Sequence, residues 1–117
     1  MPKAKAPPSA RSLFAARLKQ ARELRGIPSQ RALGMLMGLN KKLASSRVNR
    51  YENETSGIDL DALGKLAETL NVPMAFLVAE DDLVAQAILA LSKLPKAKRA
   101  RAVEALVELA EPKPKLK

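Results

Sequence analysis

Between Gln30 and Glu52 the chain reads QRALGMLMGLNKKLASSRVNRYE, a short apolar-faced segment, a glycine-marked turn and a second segment that is polar on one side. Ser29 is a good N-cap for the first segment, a helix over about 30–37, with Leu33 and Met37 on one face and Gly38 at its end. The second reads as a helix over about 45–53, with Val48 and Tyr51 turned inward. Gly34 falls mid-helix, where a glycine costs about 1 kcal/mol relative to alanine. Close approach of the following helix compensates that cost, because only the smallest side chain permits a tight crossing. A tight crossing at a large angle is what a helix-turn-helix needs.

The rest of the chain reads as helix around this unit. Ala (20) and Leu (19) outnumber Val, Ile and Thr together (11), which favours helix over strand. A first helix over about 10–25 carries Phe14, Leu18 and Ala21 on one side and stops at Gly26. Asp59 caps a fourth over about 60–70, with Leu60, Leu63, Leu66, Ala67 and Leu70 in helical spacing and Asn71 suited to a left-handed end. Pro73 opens a short fifth over about 73–79, with Phe76 and Leu77 inward. A sixth over about 80–93 begins with Glu80, Asp81 and Asp82 at the positive end of the helix dipole, and its apolar positions include Val84, Ala87, Ile88 and Leu91. Pro95 opens a seventh over about 95–111, with Ala100, Val103, Leu106, Val107 and Ala110 apolar. The expected fold is all-α.

Charge divides the same chain differently. The net +9 comes from 21 basic and 12 acidic side chains. Residues 1–56 hold 12 basic and 3 acidic groups, residues 57–92 hold 1 and 6, and residues 93–117 hold 8 and 3. Positive charge thus gathers toward both ends, with an acidic middle, and favours a polyanionic partner such as nucleic acid. The 117 residues fit one domain with tails. We expect basic, disordered tails at 1–9 and 112–117, a DNA-binding domain at 10–79 and a helical extension at 80–111. No Cys or His is present, so thiolate zinc sites, disulfides and the commonest general base are out. No apolar run approaches the roughly 20 residues of a membrane span, and Met1–Lys5 lacks the apolar stretch of a signal peptide. We therefore expect a cytoplasmic, nucleoid-associated protein with no cofactor and no metal. Asp59, Asp61, Glu80, Asp81 and Asp82 read as helix caps rather than metal ligands.

The order and spacing of several motifs resemble the lambda-repressor-like (Cro/repressor, XRE-type) DNA-binding family. They are Arg17-Leu18-Lys19-Gln20-Ala21-Arg22, Gly26, Gln30, Leu33-Gly34, Gly38-Leu39, Arg47-Val48-Asn49-Arg50-Tyr51-Glu52, and Leu63, Leu66, Ala67, Leu70, Val72 and Pro73, over roughly residues 13–78. The chain departs from that pattern in two places. Gly38 to Val48 is about four residues longer than the family's tight turn, with Asn40-Lys41-Lys42-Leu43 as the insertion, and one residue is extra at Ile27-Pro28-Ser29. The longer turn leaves the first residue of the third helix open.

The resemblance implies a five-helix core, here with one or two further C-terminal helices, and a third helix lying in the major groove. It implies that Ser45, Ser46, Arg47, Asn49 and Arg50 face bases. Arg47 can pair bidentately with guanine and Asn49 with adenine, about 1–3 kcal/mol of discrimination each. Gln30 and Arg31, at the start of the second helix, and Lys41 and Lys42, in the insertion, would meet phosphates. Glu52 would form a structural pair with a base of the first helix, Arg22 or Arg17. The function implied is a sequence-specific transcriptional regulator, a repressor, acting as a homodimer on a palindromic operator in double-stranded DNA. The sixth and seventh helices would be its dimer surface, and no small-molecule effector is indicated. An antitoxin or other interaction module whose C-terminal helices bind a partner protein is the alternative. An RNA-binding ribosomal protein has no need of the acidic middle. An enzyme is the poorest fit, with no Gly-rich phosphate loop and no paired carboxylates in an evident pocket.

Overall fold

The computed structural model describes residues 9–111, and the expectations for the basic tails fall on residues outside that range, apart from Ser9. Seven helices follow in order: α1 (Ala10–Leu24), α2 (Gln30–Leu36), α3 (Lys41–Glu52), α4 (Leu60–Leu70), α5 (Met74–Leu77), α6 (Asp82–Lys93) and α7 (Lys96–Ala110). No strand occurs among the described residues.

Local chemistry sets most of the boundaries. Ser9, Ser29 and Asp59 each accept a backbone N–H three residues on, from Ser12, Ala32 and Ala62, and so satisfy donors that the first helical turn leaves free. Asp81 takes both Leu83 and Val84, so α6 starts one residue after it and Glu80 stays outside. Gly26 ends α1 at φ +64°, while the Ile27 N–H reaches back to the Arg22 carbonyl. Asn71 ends α4 in the left-handed region at φ +53°. The Arg25 guanidinium then donates to the carbonyls of Leu70 and Asn71, closing the end of α4 from the end of α1.

The core lies where α1, α2, α3, α4 and α5 meet. Leu18, Leu33, Val48, Leu66, Leu70, Phe76 and Leu77 are fully buried in it, each contributing about 1.5–3 kcal/mol relative to exposure. Phe14 meets Tyr51 edge-on, with ring centroids 5.8 Å apart at 71°, a favoured aromatic geometry. Leu60 differs from its expected place. It opens α4 and is 76% exposed.

Two arginines of α1 serve this architecture. Arg17 is buried and donates from Nε to the Ala79 carbonyl at 2.9 Å. It also pairs with Asp82 at 3.0 Å and lies over the Phe76 ring. It thereby joins α1 to the α5–α6 junction. Helix α6 packs on the core through Ala85, Ile88 and Leu89. Val84 and Ala87 lie on another stripe and are exposed, because the core takes the neighbouring face. Helix α7 buries no residue. Its turn from α6 is fixed by Arg99, which donates to the carbonyls of Leu91 and Leu94.

Candidate nucleic-acid interface

Gly34 and Ala44 set the crossing of α2 and α3. A Cβ built on Gly34 would stand 2.5 Å from the Ala44 Cα and 2.6 Å from its carbonyl oxygen, so the expected need for glycine is met at a backbone contact. Between the helices Met37, Gly38, Leu39 and the capping Asn40 form the turn, with Gly38 at φ +87° and Leu39 N–H on the Gly34 carbonyl.

The start of α3 corrects the sequence expectation. Asn40 to Leu43 is not an inserted loop. Asn40 Oδ1 accepts the Leu43 N–H at 2.9 Å, and the helix begins at Lys41, four residues before the expected 45. The side-chain cap and the contact of buried Ala44 with Gly34 hold this added turn in place. Lys41 and Lys42 therefore occupy the first turn of α3. Ser45 and Ser46 lie in its second turn rather than at its N-terminal end.

One side of α3 is anchored. Ala44, Val48, Tyr51 and Glu52 are buried. Glu52 is 1% exposed and accepts from Arg22 Nε at 2.8 Å and Nη2 at 3.1 Å, a two-point pairing of guanidinium and carboxylate. Of the two candidates for that pair, Arg22 makes it, and Arg17 goes to Ala79 and Asp82. The bond to Glu52 holds the Arg22 guanidinium above its ordinary pKa despite partial burial. Burial likewise pushes the Tyr51 phenol up.

The network continues outward. Gln30 Nε2 donates to Glu52 Oε1 at 3.0 Å, and Gln30 Oε1 accepts from Asn49 Nδ2 at 3.0 Å. Asn49 Oδ1 in turn accepts from Asn53 Nδ2 at 3.1 Å. Gln30 thus spans the gap between a buried carboxylate and an exposed amide on the outer side of α3. Asn53 was missed in the sequence. Its signal is the i, i+4 spacing from Asn49.

The other side of α3 is open. Lys41, Lys42, Ser45, Ser46, Asn49 and Arg50 are exposed and Arg47 is half-buried. Lys42, Ser46 and Arg50 follow one another at four-residue intervals along one ridge. Arg47 and Asn49 are two residues apart, about 200° around the helix, and so lie on opposite flanks of that ridge. Arg31 is exposed on α2. Among the described residues, the ion pairs are Arg17–Asp82 and Arg22–Glu52, and none of Arg31, Lys41, Lys42, Arg47 and Arg50 is in one. Among the described residues no group of three or more acidic, His or Cys side chains could hold a metal, and no helix is long and apolar enough to cross a membrane.

The comparisons agree with this geometry. The family model HTH_3, described as Helix-turn-helix, matches residues 18–77. Among solved structures the chain is similar to that of the transcriptional regulator BswR, at 36% identity and a TM-score of 0.72, over 80% of this chain and 92% of that one. No curated protein matches the chain. The matched segment runs from α1 through α5, and the likeness to BswR extends past it. Both findings point to a regulator that acts by binding DNA rather than by catalysis. The chain belongs to the XRE, lambda-repressor-like helix-turn-helix family of DNA-binding transcriptional regulators.

Proposed function

We propose that this regulator is a repressor that binds a palindromic operator as a homodimer, with α3 in the major groove. The observation that carries this reading is the face of α3. Its inner side is fixed by Ala44, Val48, Tyr51 and Glu52, and its outer side offers unpaired cations and hydrogen-bonding side chains. With its side chains an α-helix is about 10–12 Å across, a fit for a groove about 12 Å wide.

Lys41, Lys42 and Arg31 would neutralise phosphates and release counterions, supplying affinity without sequence preference. Lysines in the first turn of a helix oppose its dipole, so they do not serve the helix itself. Gln30, at the start of α2, would add a further phosphate contact. Ser45, Ser46, Arg47, Asn49 and Arg50 would read bases. The Asn49 amide is held in the free protein by Gln30 and Asn53, so its orientation is set before DNA arrives. A single helix covers few base pairs. Two half-sites about one turn of DNA apart, read by two copies, would give operator-grade specificity. Helices α6 and α7 lie beyond the matched segment and are the dimer surface in this reading.

Selection of binding sites from random duplex DNA tests it. A palindromic consensus is expected. Enrichment of no sequence over the starting pool would overturn the specific-regulator reading.

A further inference from the structure

Among the exposed residues of α3, Leu43 alone is apolar. It is 40% exposed and belongs neither to the core cluster nor to the half-buried side chains packed against that cluster. Its position does not serve the start of the helix either. Asn40 caps α3, and Leu43 stands third in the helix, where a Glu or Gln could return a bond to the cap's own N–H. Leucine can make none. What Leu43 shares is a face. It precedes Ser46 by three residues, Arg47 by four and Arg50 by seven, the spacing of one helical stripe. Leu60, Leu83 and Leu109 are more exposed, but they lie on α4, α6 and α7. A single exposed leucine needs no explanation. One set in a row of base-reading candidates needs one.

The polar capacity beside Leu43 is also reduced. Ser46 donates its hydroxyl proton to the carbonyls of Lys42 and Leu43, at 3.2 and 3.5 Å. Its oxygen then has only lone pairs to offer a base. The end of the stripe nearer the start of α3 is therefore apolar, and the Arg47 and Arg50 end is cationic.

We infer that Leu43 contacts the 5-methyl group of a thymine in the major groove and selects thymine at one position of the half-site. That methyl is the apolar group that base pairs present in the major groove. Contact removes apolar surface of both partners from water. Arg47 and Arg50, on the same stripe, supply the hydrogen bonds that leucine cannot. The inference rests on α3 lying in the major groove, and adds to it a base preference that hydrogen bonding alone does not give.

The test uses the full chain and the duplex enriched by binding-site selection. Each thymine is replaced in turn by deoxyuridine, which removes the methyl and keeps the hydrogen-bonding edge. One position of the half-site should lose about fourfold in affinity, the effect of one buried methyl. In Leu43→Ala the same replacement should have no effect, and Leu43→Met should keep the dependence. Both duplexes are measured on the same variant, so any change in its folding cancels.

Losses from Leu43→Ala and from the missing methyl that simply add mean that the two groups do not meet, and overturn the inference. A methyl effect that persists in Leu43→Ala belongs to another side chain or to the duplex, and also overturns it. Absence of any methyl-sensitive thymine in an enriched duplex removes this inference alone. Enrichment of no sequence removes it together with the reading of α3.

Discussion

Helices α3 and α7 share an unfavourable feature. Each begins with lysines and has no acid in its first turn, against the preference of the helix dipole. They differ in what lies behind them. Helix α3 stands on four buried residues and a buried ion pair, and α7 stands on none. The charge pattern marks a face meant for something outside the chain, and burial tells what that something must supply. A helix already fixed by its own core can be read by a polar ligand. A helix with an open apolar stripe needs a partner that brings apolar surface.

The contrast is sharpest at Glu52. Glu52→Ala removes the partner of Arg22 and Gln30 at a site of 1% exposure. Loss of about 3 kcal/mol is expected in denaturant unfolding, and a loss below about 0.5 would mean that α3 is not anchored as described. Gly34→Ala should cost about 1–3 kcal/mol through forced separation of α2 and α3. Ala44→Gly should not fully rescue it, because removing the Ala44 Cβ leaves the clash with its Cα and carbonyl oxygen. Full rescue would place the contact elsewhere. Lys42→Ala should weaken binding to every duplex alike and lower the salt slope by about one unit. A loss confined to one sequence would make Lys42 a base reader.

Tyr51 gives a smaller, pH-dependent effect. Its phenol is pushed up by burial, so the fold favours the neutral form. That contribution is intact below the unfolded value of about 10 and is lost as pH rises through the folded one. Tyr51→Phe should flatten the alkaline fall in stability. The smallest effect on stability should come from α7. A chain ending at Leu94 should unfold with nearly the same denaturant midpoint, since α7 buries nothing. The comparison is made at a protein concentration too low for pairing, since a partner copy would itself stabilise the full chain; a large shift there would show that α7 is part of the core after all.

What was legible in the sequence was mostly local. Ser29, Asp59, Gly26 and Asn71 each act within one turn of their own helix, and Gly34 betrayed a close neighbour by its poor fit to a helix. The start of α3 was not legible. Two lysines before a serine pair look like a turn, and only the Asn40 cap together with the Ala44 contact makes them helix. Arg17 and Arg22 sit five residues apart on α1 and were equal candidates for Glu52. The choice depends on Ala79 and Asp82, more than sixty residues away. The periodicity of α6 was plain, yet which stripe turned inward was not. The core took Ala85, Ile88 and Leu89, and left Val84 outside.

Arg17 has one more consequence. By bonding Ala79 and Asp82 from within α1, it makes the joint between the DNA-reading body and α6 an elbow rather than a hinge. In the proposed homodimer, two bodies held through such elbows would keep a set angular phase along the double helix. One added base pair between half-sites rotates the second by about 34° at 10.5 base pairs per turn. A stiff elbow would not absorb that rotation, so operators whose spacers differ by a single base pair would be distinguishable without any contact to the spacer itself.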